Sequence, residues 1–156
     1  MKILVVVESS HQGNTLSLAN AMAEVSPVTV VKAADAPKYD FHDYDIVGFG
    51  SGIYFGKHDK GLMECADKLC GKDTCAFVFS TSGTGEADKN NSALVELLKK
   101  KGATVLGSFG CKGLDKFFVF KLMGGISKGH PDEQDLKNAQ SFITDVMKKY
   151  EGMERK

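Results

Sequence analysis

The chain has no long apolar run, no charge bias and little cysteine. The apolar run nearest the N-terminus, "ILVVV" at residues 3–7, is too short for the core of a signal peptide, and a single lysine precedes it. No segment approaches the roughly 20 apolar residues that span a bilayer, so no membrane insertion is expected. Lys plus Arg number 20 and Asp plus Glu number 20. That balance removes any broad electrostatic reason to expect nucleic acid or an anionic membrane as a partner. The four cysteines, Cys65, Cys70, Cys75 and Cys111, form no CxxC pair. They read as reduced, buried or half-buried thiols of a cytoplasmic protein. No repeat or low-complexity linker divides the 156 residues, and a chain of this length suits one domain, 1–156.

What is present is a run of short, β-branched apolar segments: "ILVVV" (3–7), "VTVV" (28–31), "IVGFG" (46–50), "CAFVFS" (75–80) and "TVLGSFG" (104–110). Lacking polar alternation, they suit strands buried on both faces. Helical stripes lie between most of them: Leu16, Ala19, Met22 and Ala23; Leu62, Ala66, Leu69 and Cys70; Leu94, Leu97 and Leu98. A long stripe from Leu136 through Ala139, Ile143 and Val146 to Tyr150 ends the pattern. Ser92 is expected to cap the fourth strand's helix and Gly102 to end it. Pro131, Asp132 and Glu133 read as the start of the last helix. Residues 33–44, with Pro37, read as either a short helix or a loop. Strands alternating with helices predict an α/β fold: a five-stranded parallel sheet covered on both faces.

In such a sheet, ligands bind beyond the C-terminal ends of the strands, where strand order reverses. Three loops there are built from small and polar residues. After the first strand come Ser10, His11, Gln12, Gly13, Asn14 and Thr15, leading into a helix. Free N–H groups at a helix start and nearby hydroxyls suit an anion, and glycine lets the backbone come close. The loop has no lysine and is not a nucleoside-triphosphate loop. The alternative is a plain capping turn. After the third strand come Ser51, Gly52, Ile53, Tyr54, Phe55 and Gly56. After the fourth come Thr81, Ser82, Gly83, Thr84 and Gly85. Backbone-rich loops with an aromatic suit a planar heterocycle carrying a phosphate. Neighbouring side chains in extended chain point oppositely, so one of Tyr54 and Phe55 is expected at the ring. Tyr54 is the choice, because it can stack and keep its hydroxyl in water; Phe55 is expected in the core.

"SHQGNT", "GSGIYFGKHDKGL" and "FKLMGGISKGHPDEQDL" together resemble flavodoxin-family proteins over nearly the whole chain. The second is also similar to flavodoxin-fold protoporphyrinogen dehydrogenases and to other flavodoxin-family chains, and the third is similar to the latter group. The resemblance implies a flavodoxin-like three-layer sandwich with strand order 2-1-3-4-5. It implies FMN as cofactor, its phosphate at residues 10–15 and its ring edges at 51–56 and 81–85. It also implies transient redox partner proteins. The chain departs from many members in being neutral and in having no tryptophan to stack on the flavin.

The chemistry would belong to the cofactor, so no catalytic residue and no metal ligand is assigned. The leading expectation is electron transfer between redox partners. The rival is a small FMN-dependent oxidoreductase acting on an organic substrate, of protoporphyrinogen dehydrogenase or quinone reductase type. That rival would use Phe117, Phe118, Phe120, Leu122 and Met123 to roof a pocket, within a stretch from Cys111 to Pro131 that carries no clear element. The other reading of that stretch is a short strand or turn packed on the core. His130 reads as structural or solvated; His58 lies nearer the expected flavin, where proton transfer is the lesser alternative to a structural role.

Overall fold

The computed structural model describes residues 1–9, 13–113 and 131–154. Its strands are β1 (Ile3–Glu8), β2 (Val28–Lys32), β3 (Ile46–Tyr54), β4 (Lys57–His58), β5 (Cys75–Ser82) and β6 (Thr104–Lys112). Its α-helices are α1 (Asn14–Val25), α2 (Lys60–Leu69), α3 (Ala87–Lys100) and α4 (Glu133–Glu154). Two short 3-10 helices, Ala33–Lys38 and Phe41–Asp43, fill the segment after β2. The parallel strands lie in the order β2-β1-β3-β5-β6, and β4 folds back antiparallel on β3. Without β4, this is the expected 2-1-3-4-5 order.

Strand alternation sends side chains into two cores. Leu4, Val6, Val47, Phe49, Ala76 and Val78 pack with Leu62 and Ala66 of α2 and Leu94 and Leu98 of α3. Ile3, Val5, Val7, Phe77 and Phe79 pack with Leu18 and Met22 of α1 and Ile143 and Val146 of α4. The central strands are buried on both faces, as their unbroken apolar sequence requires. The edge strands β2 and β6 are only half buried, a correction to the uniform expectation. Gly48 and Gly50 of β3 pair with Phe77 and Phe79 of β5. A Cβ on either glycine would stand only 2.2 Å from Cζ of the neighbouring phenyl ring. Gly50 is therefore a packing residue of the strand rather than part of a ligand loop.

Several boundaries differ from expectation. Helix α3 begins five residues before Ser92, whose hydroxyl instead donates to the Lys89 carbonyl inside the helix (2.9 Å). Gly102 does take positive φ (89°) after α3. At α4, Asp132 Oδ1 accepts from the Asp135 N–H and Asp135 Oδ2 from the Asp132 N–H, both at 2.8 Å. That reciprocal cap explains why "PDEQD" starts the helix. Leu16, expected on the buried stripe of α1, is exposed. Strand β6 takes in Cys111 and Lys112, the start of the stretch read as featureless; residues 114–130, with the phenylalanine cluster and His130, lie outside the described residues.

Candidate flavin site

The sheet's direction of growth reverses between β1 and β3, and the candidate residues gather at the C-terminal ends of β1, β3 and β5. Register makes these ends level: Glu8 lies beside Ser51, Ser51 beside Ser80, Gly52 beside Thr81 and Thr81 beside Cys111. Ser10, His11 and Gln12 lie outside the described residues.

Helix α1 opens on Gly13, in the left-handed conformation (φ 68°) that glycine adopts without steric cost. A capping turn would place a serine, threonine or aspartate oxygen here. Gly13 supplies none, although Ser9 Oγ accepts from the Leu16 N–H at a long 3.4 Å. The helix start carries the positive end of the helix dipole. No acidic residue stands in the first turn to neutralise it. Thr15 follows at 1% exposure, its Oγ1 2.9 Å from Thr81 Oγ1. Two hydroxyls carry two protons and their mutual bond consumes one. The other proton has no acceptor among the described residues. Gly113 closes the group: a Cβ there would stand 3.0 Å from Asn14 Nδ2 and 3.1 Å from Thr81 Cβ.

Residues 51–58 are not the loop expected from sequence. Strand β3 continues to Tyr54 and turns into β4, with Tyr54 opposite Lys57 and Ile53 opposite His58. The two turn residues, Phe55 and Gly56, both have positive φ (52° and 80°), the signature of a type I′ hairpin. Phe55 is fully exposed at the tip, which overturns its expected place in the core. The physical reason is that at a turn position its side chain projects off the hairpin end. Tyr54 is half buried and lies back along the strand, its hydroxyl 3.3 Å from where a Gly52 Cβ would sit. The third group, residues 81–85, begins inside β5 with Thr81 and Ser82. Ser82 Oγ accepts from the Gly85 N–H (2.8 Å) and from Asn90 Nδ2 (3.0 Å), which folds 82–85 into a tight turn with Gly85 at φ 74°. Gly83 is half buried and Thr84 exposed.

A buried polar chain backs the site. Ser51 Oγ lies 2.7 Å from His58 Nδ1, and His58 Nε2 lies 2.7 Å from Asn91 Oδ1. Burial holds His58 well below its ordinary 6.5, at about 4, against opposing effects of the Asn91 hydrogen bond and of Asp59. His58 is therefore neutral at pH 7. Asn90, Asn91 and Gly113 are the site's neighbours that sequence reasoning missed. The one available signal was two adjacent asparagines on an otherwise amphipathic helix. The four thiols are free, and burial raises Cys65 to about 11 and Cys70 and Cys111 to about 12, so they stay protonated.

The model of the flavodoxin domain matches residues 5–117. The chain belongs to the flavodoxin family. It is 38% identical over 149 residues to an uncharacterized protein of Methanocaldococcus jannaschii, covering 95% of this chain and 99% of that one. It is 26% identical over 173 residues to the flavodoxin-like domain-containing protein BilS of Clostridioides difficile, covering 94% and 97%. Among solved structures it resembles oxidised flavodoxin 1 of Bacillus cereus, with a TM-score of 0.64 at 19% identity, over 94% of this chain and 98% of that one. Membership of the flavodoxin family implies a flavin cofactor. The residues present fit one: a helix start opening on Gly13 and an unspent hydroxyl proton suit its anionic end, and two turns with glycine at positive φ stand at the neighbouring strand ends. Among the described residues, no helix is long and apolar enough to cross a membrane.

Proposed function

We propose that this flavodoxin-family chain binds FMN and transfers electrons between redox partner proteins in the cytoplasm. The observation that carries the reading is the Gly13–Thr15–Thr81 group, a single anion cradle level with two backbone-rich turns. One cradle suits one phosphate, hence FMN rather than a dinucleotide. Residues 10–15 would hold the phosphate, 51–56 one edge of the ring and 81–85 the other. When bound, the flavin supplies the one-electron and two-electron chemistry. The chain's part is to bind, orient and exclude water. His58, a buried titratable group next to the β3–β4 turn, is neutral and tied at both nitrogens. It is thus engaged in structure rather than poised to pass protons to a substrate, which favours electron transfer over substrate oxidation. Four free thiols suit a reducing compartment.

The test is the visible spectrum of the purified protein, mass identification of the extracted flavin, and reductive titration. Bound FMN, reduced in two resolved one-electron steps, supports the reading. Tighter binding of FAD than FMN in a fluorescence-quenching titration overturns the cofactor assignment. Rapid two-electron turnover with a quinone overturns the carrier assignment in favour of an oxidoreductase.

A further inference from the structure

Among the described residues, the β3–β4 turn is anchored through the buried His58. Phe55, Gly56 and Lys57 are exposed, so their own side chains do not pack it in place. Two successive residues with positive φ, one of them a phenylalanine, make its conformation costly. Strand β4 is two residues long and pairs with β3 alone. Its one buried side chain is His58, at 4% exposure.

The proton positions of the chain behind His58 follow from its far end. Asn91 Nδ2 donates to Ser108 Oγ (2.8 Å) and to the Phe109 carbonyl (3.0 Å), both on β6. Both amide protons are spent, so Asn91 Oδ1 is the acceptor and His58 Nε2 carries the hydrogen. Nδ1 of the neutral ring is then a lone pair, and Ser51 donates to it. The Ser51 hydroxyl has one proton but two acceptors at 2.7 Å, His58 Nδ1 and the Gly52 carbonyl. It also accepts the Asp59 N–H at 3.0 Å. Thus one hydroxyl ties together the strand before the turn, the histidine of the strand after it and the residue that follows.

We propose that His58 is the positioning residue of this turn: it draws the Ser51 proton away from the Gly52 carbonyl and fixes the backbone of 52–57 for the flavin, with Asn91 holding the ring from α3. This rests on the flavin reading above. Asn91 orients the imidazole, and Ser51 transmits that orientation to the turn.

Two amide substitutions separate positioning from bulk stability. In His58→Asn the amide oxygen reaches the place of Nδ1 and can accept from Ser51. In His58→Gln the amide nitrogen reaches the place of Nε2 and can donate to Asn91. Each leaves one buried group unpaired, so a merely structural histidine requires similar effects from both. Amide hydrogen exchange of 52–57 is measured in the apoprotein, and the affinities for oxidised and reduced FMN in the holoprotein. His58→Asn is expected to keep the exchange rates and the affinity ratio within about twofold of the parent. His58→Gln is expected to speed exchange at least tenfold and change the ratio about tenfold, ~30 mV for the two-electron couple between oxidised and reduced FMN. Equal behaviour of the two variants overturns the proposal, as does unchanged exchange in His58→Gln. Failure of the parent protein to bind FMN overturns the flavin reading instead, and the apoprotein exchange still decides the role of His58.

Discussion

Replacing Thr15 by valine removes one hydroxyl while keeping the side-chain shape. In the parent, Thr15 and Thr81 share one hydrogen bond at 2.9 Å and hold a second proton in reserve. If Thr15, on the first turn of α1, directs that proton to the FMN phosphate, Thr81 donates to Thr15 and stands one bond behind. A hydrogen bond to a charged group contributes roughly 1.5–3 kcal/mol. At about 1.4 kcal/mol per decade, Thr15→Val should weaken FMN on the order of 10- to 150-fold. Riboflavin, which lacks the phosphate, should lose no more than about twofold. Thr81→Val leaves the Thr15 proton in place, so its effect on FMN should be several-fold smaller. In the apoprotein each single change strands a buried hydroxyl and should cost about 1–3 kcal/mol, whereas the double valine variant should cost less than the sum. The assays are fluorescence-quenching titrations with both flavins and urea melts of the apoproteins. Equal losses of FMN and riboflavin, or a larger FMN loss for Thr81→Val than for Thr15→Val, would refute the assignment.

Three further outcomes follow from the same geometry. Phe55→Ala should change apoprotein stability by less than about 0.5 kcal/mol in urea melts, against the roughly 3–5 kcal/mol of a core phenylalanine, and Phe55→Gly should stabilise by about 0.5–1 kcal/mol by relieving the positive φ. Gly50→Ala should cost about 3 kcal/mol, because its methyl group would clash with the Phe79 ring; a cost under about 1 kcal/mol in the same melts would contradict the packing. His58 has a folded pKa of about 4 against an ordinary 6.5. Between those values the unfolded chain binds more protons, so stability falls as pH falls, by about 3 kcal/mol in all. Melts from pH 8 to 4 should show a flatter profile for His58→Asn than for the parent, and identical profiles would contradict a buried neutral ring.

The fold was legible where burial is complete. The unbroken aliphatic runs of β1, β3 and β5 can serve no surface, and they fixed a parallel sheet and its helical cover. The same reasoning overstated β2 and β6, because an edge strand with one covered face can still be rich in valine. Local chemistry misled at α3: Ser92 is a good cap by type, yet the helix had already begun and its hydroxyl turned to the Lys89 carbonyl. The three candidate segments were singled out because small residues at strand ends have few other uses, and the sheet brings the described parts of all three to one end. The bonds that join them could not, since Thr15 and Thr81 are 66 positions apart and His58 and Asn91 are 33 apart. Only the level register of β1, β3 and β5 brings them together.

The β3–β4 hairpin escaped notice for a different reason. A type I′ turn is announced by Asn-Gly or Asp-Gly, residues that accept positive φ cheaply. Here the pair is Phe55-Gly56, and the first position goes to a residue that resists that conformation and gains nothing from the core. A sequence that satisfies local preference almost everywhere, and breaks it beside the proposed flavin site, gives up stability for placement. The break also has a visible counterweight. Ser51, His58 and Asn91 bury three polar side chains in one satisfied chain, and no polar side chain is left orphaned inside the described residues. A strained tip anchored by a buried, hydrogen-bonded base keeps Phe55 in water at the edge of the proposed site.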